Sequence, residues 1–159
     1  PLDRMAGRSV FMTGVEDPNR NVILETLTAD DTNFVTAQKY IPEAAKGDKR
    51  ILLIDGEPVP TGLLRVPSAD DFRGNLSMGA SAQATELTDR DRWICSQVAP
   101  VLRERGLIFV GIDVLGEHLT EINVTSPTCV REIDAGYDLD IGGQLMDCIE
   151  QQLKERGRT

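Results

Sequence analysis

A single histidine, His118, is all the chain has among 159 residues. One imidazole excludes a His-rich metal site and argues against a His-based catalytic triad. Cysteine is also scarce: Cys95, Cys129 and Cys148 make an odd set with no CxxC spacing. That argues against a disulfide framework and fits a reducing cytosol. Excess positive charge is missing, since the formal net charge is −9. Such a chain is not expected to bind nucleic acid or an anionic membrane non-specifically. An anionic ligand would instead need local Arg, Lys, backbone N–H groups or a metal. No apolar run approaches the ~18 to 20 residues of a membrane span, and "PLDRMAGRSVFMTG" has neither an initiator Met nor a signal-peptide pattern. No repeat or low-complexity tract stands out. What is present, 40% hydrophobic and 27% charged residues, suits one compact domain or most of one.

Local patterns predict the elements. "RSVFMTG" reads as a short strand and "EDPNRNVILETLTAD" as a helix, with Asp17 as N-cap, Pro18 as first helical residue, and Val22, Ile23 and Leu27 on one face. "NFVTAQKYI" alternates like a strand. "RILLIDGEPVPTGLLRVP" reads as two strands around Asp55-Gly56. A long loop follows, Pro67 to Gln83, with no hydrophobic period and two glycines, Gly74 and Gly79. Fixed at both ends and burying little, it reads equally as a lid or as a surface loop with no role. "TDRDRWICSQVAPVLRERG" is a helix capped by Thr88 and ended by Gly106, with Pro100 predicting a kink or break. "LIFVGIDVLG" and "HLTEINVT" are strands, "SPTCVREIDAGYDLD" is irregular, and "IGGQLMDCIEQQLKERG" is an amphipathic helix with Leu145, Cys148, Ile149 and Leu153 on one face. Hairpins with interspersed helices imply an antiparallel α+β fold.

The hairpin of "GIDVLGEHLTEINVTSP" carries the chemistry. Glu121 and Asn123 share a strand face, and Ile122 and Val124 take the other. On the preceding strand, Gly111 and Asp113 oppose Val110, Ile112 and Val114. The apolar faces coincide only if Asp113 stands opposite Glu121 and Ile112 opposite Ile122, with a turn at Gly116, Glu117 and His118. Asp113, Glu121 and Asn123 then form one patch, with Gly111 leaving room beside it. Two carboxylates and an amide oxygen suit a hard cation such as Mg²⁺. A solvated polar face is the alternative, but opposed acids repel, so a cation explains more.

Arg50, Arg65 and Arg73 could hold phosphate or carboxylate in bidentate fashion; singly, each also reads as a surface salt bridge. Asp48 points the same way as Arg50. "DRMAGR" is a weak phosphate-turn signal. Cys129 reads as a structural thiol, Cys95 and Cys148 as packing residues, Trp93 as core or interface, and His118 as a solvated turn residue.

At "DGEPVP", "RGNL", "GLIFVGIDVLG" and above all "LTEINVTSPTCVREID", the chain closely resembles the bacterial glutathione synthetases, which are ATP-grasp ligases. The likeness runs from Pro1 to about Leu153. The resemblance implies an ATP-grasp fold, with residues 1–42 from its central subdomain and 43–159 forming its C-terminal subdomain, lid loop 67–83 included. It implies ATP-dependent joining of γ-glutamylcysteine to glycine through an acyl phosphate, in the cytoplasm, by an enzyme expected to be a homo-oligomer. Asp113, Glu121 and Asn123 would hold Mg²⁺ or Mn²⁺ ions. Gln38, Lys39 and Ile41 would line the adenine slot, with Asp48 nearby. Arg50, Arg65 and Arg73 would serve catalysis by contacting phosphates or substrate carboxylates, and Ser126 would help hold substrate. Where the family usually reads Asp-Gly-x-Gly-Gly, this chain has Asp3-Arg4-Met5-Ala6-Gly7, and with two glycines replaced a closer approach of backbone to phosphate is not expected there. "RGNLSMGASAQ" also lacks the Gly-Gly-Arg that often follows in the family. Family members carry an N-terminal region with two ATP-binding lysines. The chain is therefore expected to correspond to the C-terminal half and to be inactive by itself. The rival readings are an ATP-grasp amino-acid ligase of other specificity and a non-catalytic binding module.

Overall fold

The sheet is built outward from one continuous apolar run. Ile51, Leu52 and Leu53 are fully buried, so the strand that contains them is covered on both faces. In this computed structural model, which describes residues 8–68 and 81–157, that strand is β1 (Asp48–Ile54). It lies at the centre of a five-stranded antiparallel sheet ordered β3-β2-β1-β4-β5. Its partners are β2 (Glu57–Val66) and β4 (Phe109–Leu115), with β3 (Ser81–Glu86) and β5 (His118–Asn123) at the edges. The β1–β2 turn is the expected one. Asp55 (φ 49°) and Gly56 (φ 78°) both adopt positive φ, as a tight hairpin turn requires.

Each face has its own core. On one, Ile51, Leu53, Val110, Ile112 and Val114 pack under α2 (Asp89–Glu104) through Ile94, Cys95 and Leu102. On the other, Leu52, Val59 and Leu63 meet Cys129, Ile133 and Ile141 around α3 (Val130–Tyr137) and α4 (Ile141–Glu155). Burial pushes the Cys95 thiol up to about 11, helped by nearby Asp91, consistent with a packing role. Helix α2 starts at the predicted cap, where Thr88 and Asp91 exchange hydrogen bonds in a capping box. It runs unbroken through Pro100. Pro100 and Ser96, whose carbonyl the ring deprives of a donor, are both exposed, so water can replace the lost bond.

Several expectations are corrected. Residues 8–14 and 33–41 form no strand; their backbone groups find no partner strand among the described residues, and Phe34 is 89% exposed. Helix α1 (Arg20–Thr28) begins two residues later than expected. Asp17 instead closes a turn before it, accepting from the Asn19 N–H at 2.9 Å and the Thr13 hydroxyl at 3.0 Å. Of its expected apolar face, Ile23 and Leu27 are half-buried, and Val22 is exposed. The loop expected over 67–83 yields residues 81–83 to β3, which small alternating side chains concealed; the rest of it that is described is Pro67 and Ser68. The stretch read as irregular contains α3, a short helix entered from Cys129 at φ 83° with no side-chain cap. On α4, Leu145, Cys148 and Ile149 are half-buried and Leu153 is exposed; Ile141 alone is buried. Trp93 is half exposed, stacked by the Arg90 guanidinium 4.2 Å from its ring centroid. No helix among the described residues is long and apolar enough to cross a membrane.

The α2 N-terminus is tied to the sheet by one buried carboxylate. Asp91, 1% exposed, accepts from the Lys49 ammonium at 2.5 Å and from the Thr88 N–H and hydroxyl at 2.8 Å each. Asp91→Ala would leave Lys49 without its partner and remove half of the capping box. Breaking such a buried pair costs about 3 kcal/mol. Urea unfolding should show a loss of that order, and a loss below about 1 kcal/mol would refute the anchoring role.

Candidate functional site

The hairpin pairs as its alternation dictates. Asp113 stands opposite Glu121, Ile112 opposite Ile122, and Gly111 opposite Asn123. The route differs from the expected three-residue turn. Gly116 and Glu117 alone make the turn, and Thr120 is an extra residue that bulges from β5 and restores the register. The Thr120 hydroxyl donates to the Asp113 carbonyl at 3.1 Å. The apolar faces coincide, but Ile122 lies on an edge strand and stays 43% exposed.

The acid patch continues across the sheet, because β1 places Arg50 opposite Asp113 and Asp48 opposite Arg65. The Arg50 guanidinium forks onto Asp113, Nε to Oδ1 at 2.5 Å and Nη2 to Oδ2 at 2.9 Å. Arg65 forks onto Asp48 at 2.7 and 2.6 Å, and its Nη2 also lies 3.0 Å from Asp113 Oδ2. Arg50, Arg65 and Asp113 are 5%, 5% and 3% exposed, so these are not the surface salt bridges of the bland reading.

Burial opposes the Asp113 charge, but the Arg50 hydrogen bonds and the charges of Arg65 and Arg50 outweigh it and hold the carboxyl below its ordinary range. Glu121 moves the other way. Burial, then the hydrogen bond and charge of Asp113, pushes its carboxyl up, while Asn123 and Arg50 pull partly back. Burial also pushes Asp48 up against the pull of Arg65. The two forked contacts, and a guanidinium that Asp48 and Asp113 make still harder to deprotonate despite burial, favour the ion pair.

Gly111 leaves room, though not for a ligand. A Cβ there would lie 2.8 Å from Pro127 Cβ and 3.2 Å from Arg50 Cδ. Thr128, which the sequence reading passed over, lies 3.5 Å from Arg50 Nη1. Its signal was the "TSPT" run in which Ser126 was singled out instead. Ser126 is exposed with φ 44°. Gln38 and Lys39 are exposed in an irregular segment, and half-buried Ile41 precedes the short 3₁₀ turn Pro42–Lys46. Arg73, the segment 69–80 of the expected lid, and Asp3 to Gly7 lie outside the described residues.

Among the described residues no three His, Cys, Asp or Glu side chains gather as a metal set. The set here is two carboxylates and an amide, all able to offer oxygen, which fits a hard cation. The Asn123 Nδ2 is buried without a hydrogen-bond partner among the described residues. That donor is left over when the strands pair, and a turn of the amide would present its oxygen in the same place.

The raised Glu121 carboxyl has a consequence for stability. A carboxyl pushed up by folding favours the folded state below its unfolded value and loses that contribution as pH rises through the folded one. Ionised Glu121 beside Asp113 is thus unfavourable at neutral pH. Without metal, Glu121→Gln should raise the thermal midpoint at pH 7 by about 1–2 °C, because the group is partly solvated, and the gain should vanish towards pH 4. A lower midpoint at pH 7 would contradict this.

Comparison with known proteins identifies the chain's family. Residues 1–138 match the family model for the prokaryotic glutathione synthetase ATP-grasp domain. The chain is 60% identical over 156 residues to the glutathione synthetase of Pseudomonas putida, covering 98% of this chain and 49% of that protein. It is 58% identical over 150 residues to that of Coxiella burnetii, covering 94% and 47%. It is 53% identical over 154 residues to that of Vibrio parahaemolyticus, covering 97% and 49%. The chain spans about half the length of the curated relatives it matches. With its antiparallel α+β sheet, it belongs to the prokaryotic glutathione synthetase family and carries the family's ATP-grasp domain.

Proposed function

We propose that this chain supplies the metal- and phosphate-holding part of a cytosolic, ATP-dependent ligase that joins γ-glutamylcysteine to glycine. The observation that carries the reading is the cross-strand pairing of Asp113 with Glu121, with Arg50 and Arg65 on the same sheet face. Three free cysteines accord with a reducing compartment. The relatives' names carry glutathione synthesis, brought to a chain about half their length; the two substrates are what the family resemblance implies.

Asp113, Glu121 and Asn123 would hold Mg²⁺ or Mn²⁺. Bound there, the cation would neutralise charge on the ATP phosphates. The chain's own residues do the rest by position and charge. Gln38, Lys39 and Ile41 flank the adenine, with Asp48 near it. Arg50 and Arg65, joined by Arg73, offer forked N–H donors to phosphate or substrate carboxylate oxygens, and Ser126 helps seat the substrate. An acyl-phosphate transition state gathers negative charge on oxygen, so fixed guanidinium donors suit it better than an acid or base would.

The test is ADP and glutathione formation by the natural protein that carries this sequence, supplied with ATP, Mg²⁺, γ-glutamylcysteine and glycine. In that protein Glu121→Gln keeps the shape and removes one charge. Turnover should fall by about a hundredfold or more, with the thermal midpoint little changed. Near-normal turnover would take Glu121 out of the metal site, and no glutathione from the unaltered protein would overturn the whole reading.

A further inference from the structure

The carboxylate best placed to bind a cation is already filled. Asp113 receives Arg50 Nε and Nη2 at 2.5 and 2.9 Å and has Arg65 Nη2 at 3.0 Å. A carboxylate offers about four acceptor positions. Three are taken by cationic donors, and Glu121 stands opposite. A divalent ion approaching Asp113 would meet two guanidinium charges and at most one free lone pair. Arg50 on Asp113 and a cation on Asp113 are thus alternatives, and the sheet face must pass between two arrangements.

The packing around Gly111 leaves Arg50 one way to go. It packs across Gly111, where a Cβ would come within 3.2 Å of Arg50 Cδ and 3.3 Å of Nη1. Any side chain at 111 would obstruct that path. At its end is Thr128, whose hydroxyl lies 3.5 Å from Nη1, the outer limit of a hydrogen bond. Thr128 is exposed, so a guanidinium seated there meets solvent and whatever anion it carries.

We propose that Arg50 is a resident stand-in for the divalent cation: the cation displaces it from Asp113, and it moves over Gly111 to a second seat at Thr128, where it binds an anionic oxygen. This rests on the reading of Asp113, Glu121 and Asn123 as the cation site. It adds that Thr128 is a positioning residue acting through Arg50. It also makes cation and anion binding mutually reinforcing, since a guanidinium that has lost its carboxylate is stabilised by an anion, and that coupling is reciprocal.

The experiment is a Mg²⁺ titration of the 159-residue chain, followed by NMR of the Asn123 side-chain amide and the Arg50 Nε–H. Both signals should move together, with the Arg50 resonance losing its carboxylate-bonded shift. Sulfate, a weak Mg²⁺ ligand, should tighten Mg²⁺ binding about tenfold. Thr128→Val should leave the Mg²⁺-free Arg50 signal in place, weaken Mg²⁺ binding about fivefold and abolish most of the sulfate effect. Movement of Asn123 with Arg50 unchanged would overturn the exchange and leave the cation site standing. Movement of neither would overturn both. Wild-type Mg²⁺ binding in Thr128→Val would remove the second seat and with it the proposal.

Discussion

Arg50 and Asp113 face each other across β1 and β4, 5% and 3% exposed, joined by a forked pair of hydrogen bonds. Taking two such charges out of water costs several kcal/mol for each, and only close geometry with further partners offsets it. Here the further partner is Arg65, which reaches Asp113 while holding Asp48. The cluster therefore stands or falls together. It ties β2, β1 and β4 at one end of the face whose other end is the apolar core around Leu52, Leu63 and Ile133. A polar end and an apolar end on one sheet face divide the labour. The helices α3 and α4 hold the sheet, and the strand ends carry the charge.

That division also explains the opposite shifts of the two hairpin carboxyls. Asp113 is kept ionised by guanidiniums, whereas Glu121, across from it on the edge strand, is pushed towards its neutral form by burial and by Asp113 itself. The charge balance of the cluster is thus incomplete on the Glu121 side, which is where an incoming cation would relieve most repulsion. Asn123, half-buried with an amide nitrogen that has no partner among the described residues, lies on the same strand face as Glu121.

How much of this was legible beforehand depended on range. The Asp113–Glu121 register followed from strand parity alone, because a one-residue slip would turn carboxylates into the core. The Asp55-Gly56 turn and the Thr88 cap were local signals and appear as expected. The Arg50–Asp113 contact joins residues 63 apart, and nothing local announces which strand β4 will pair with. Thr120 hid the true turn, since a bulge compensates a shorter loop without moving Glu121. Helix α3 was missed because it is short and is entered from a left-handed Cys129 rather than a capping side chain. The strands expected over 8–14 and 33–41 had strand-like composition or alternation, but a strand needs a neighbour to take its hydrogen bonds. Arginine roles were the least readable. Sequence gives the residue type, and only the sheet shows that two guanidiniums share one carboxylate.

The central claim, that Asp113, Glu121 and Asn123 form a divalent-cation site flanked by anion-holding arginines, is tested most directly by anomalous diffraction. Crystals of the natural protein with Mn²⁺ and a non-hydrolysable ATP analogue should show a manganese peak within about 2.0–2.3 Å of oxygens from all three side chains, as a hard cation requires. The analogue's phosphates should contact Arg50 or Arg65. A manganese peak bound elsewhere, with Arg50 still forked onto Asp113 and no phosphate near either arginine, would contradict the account.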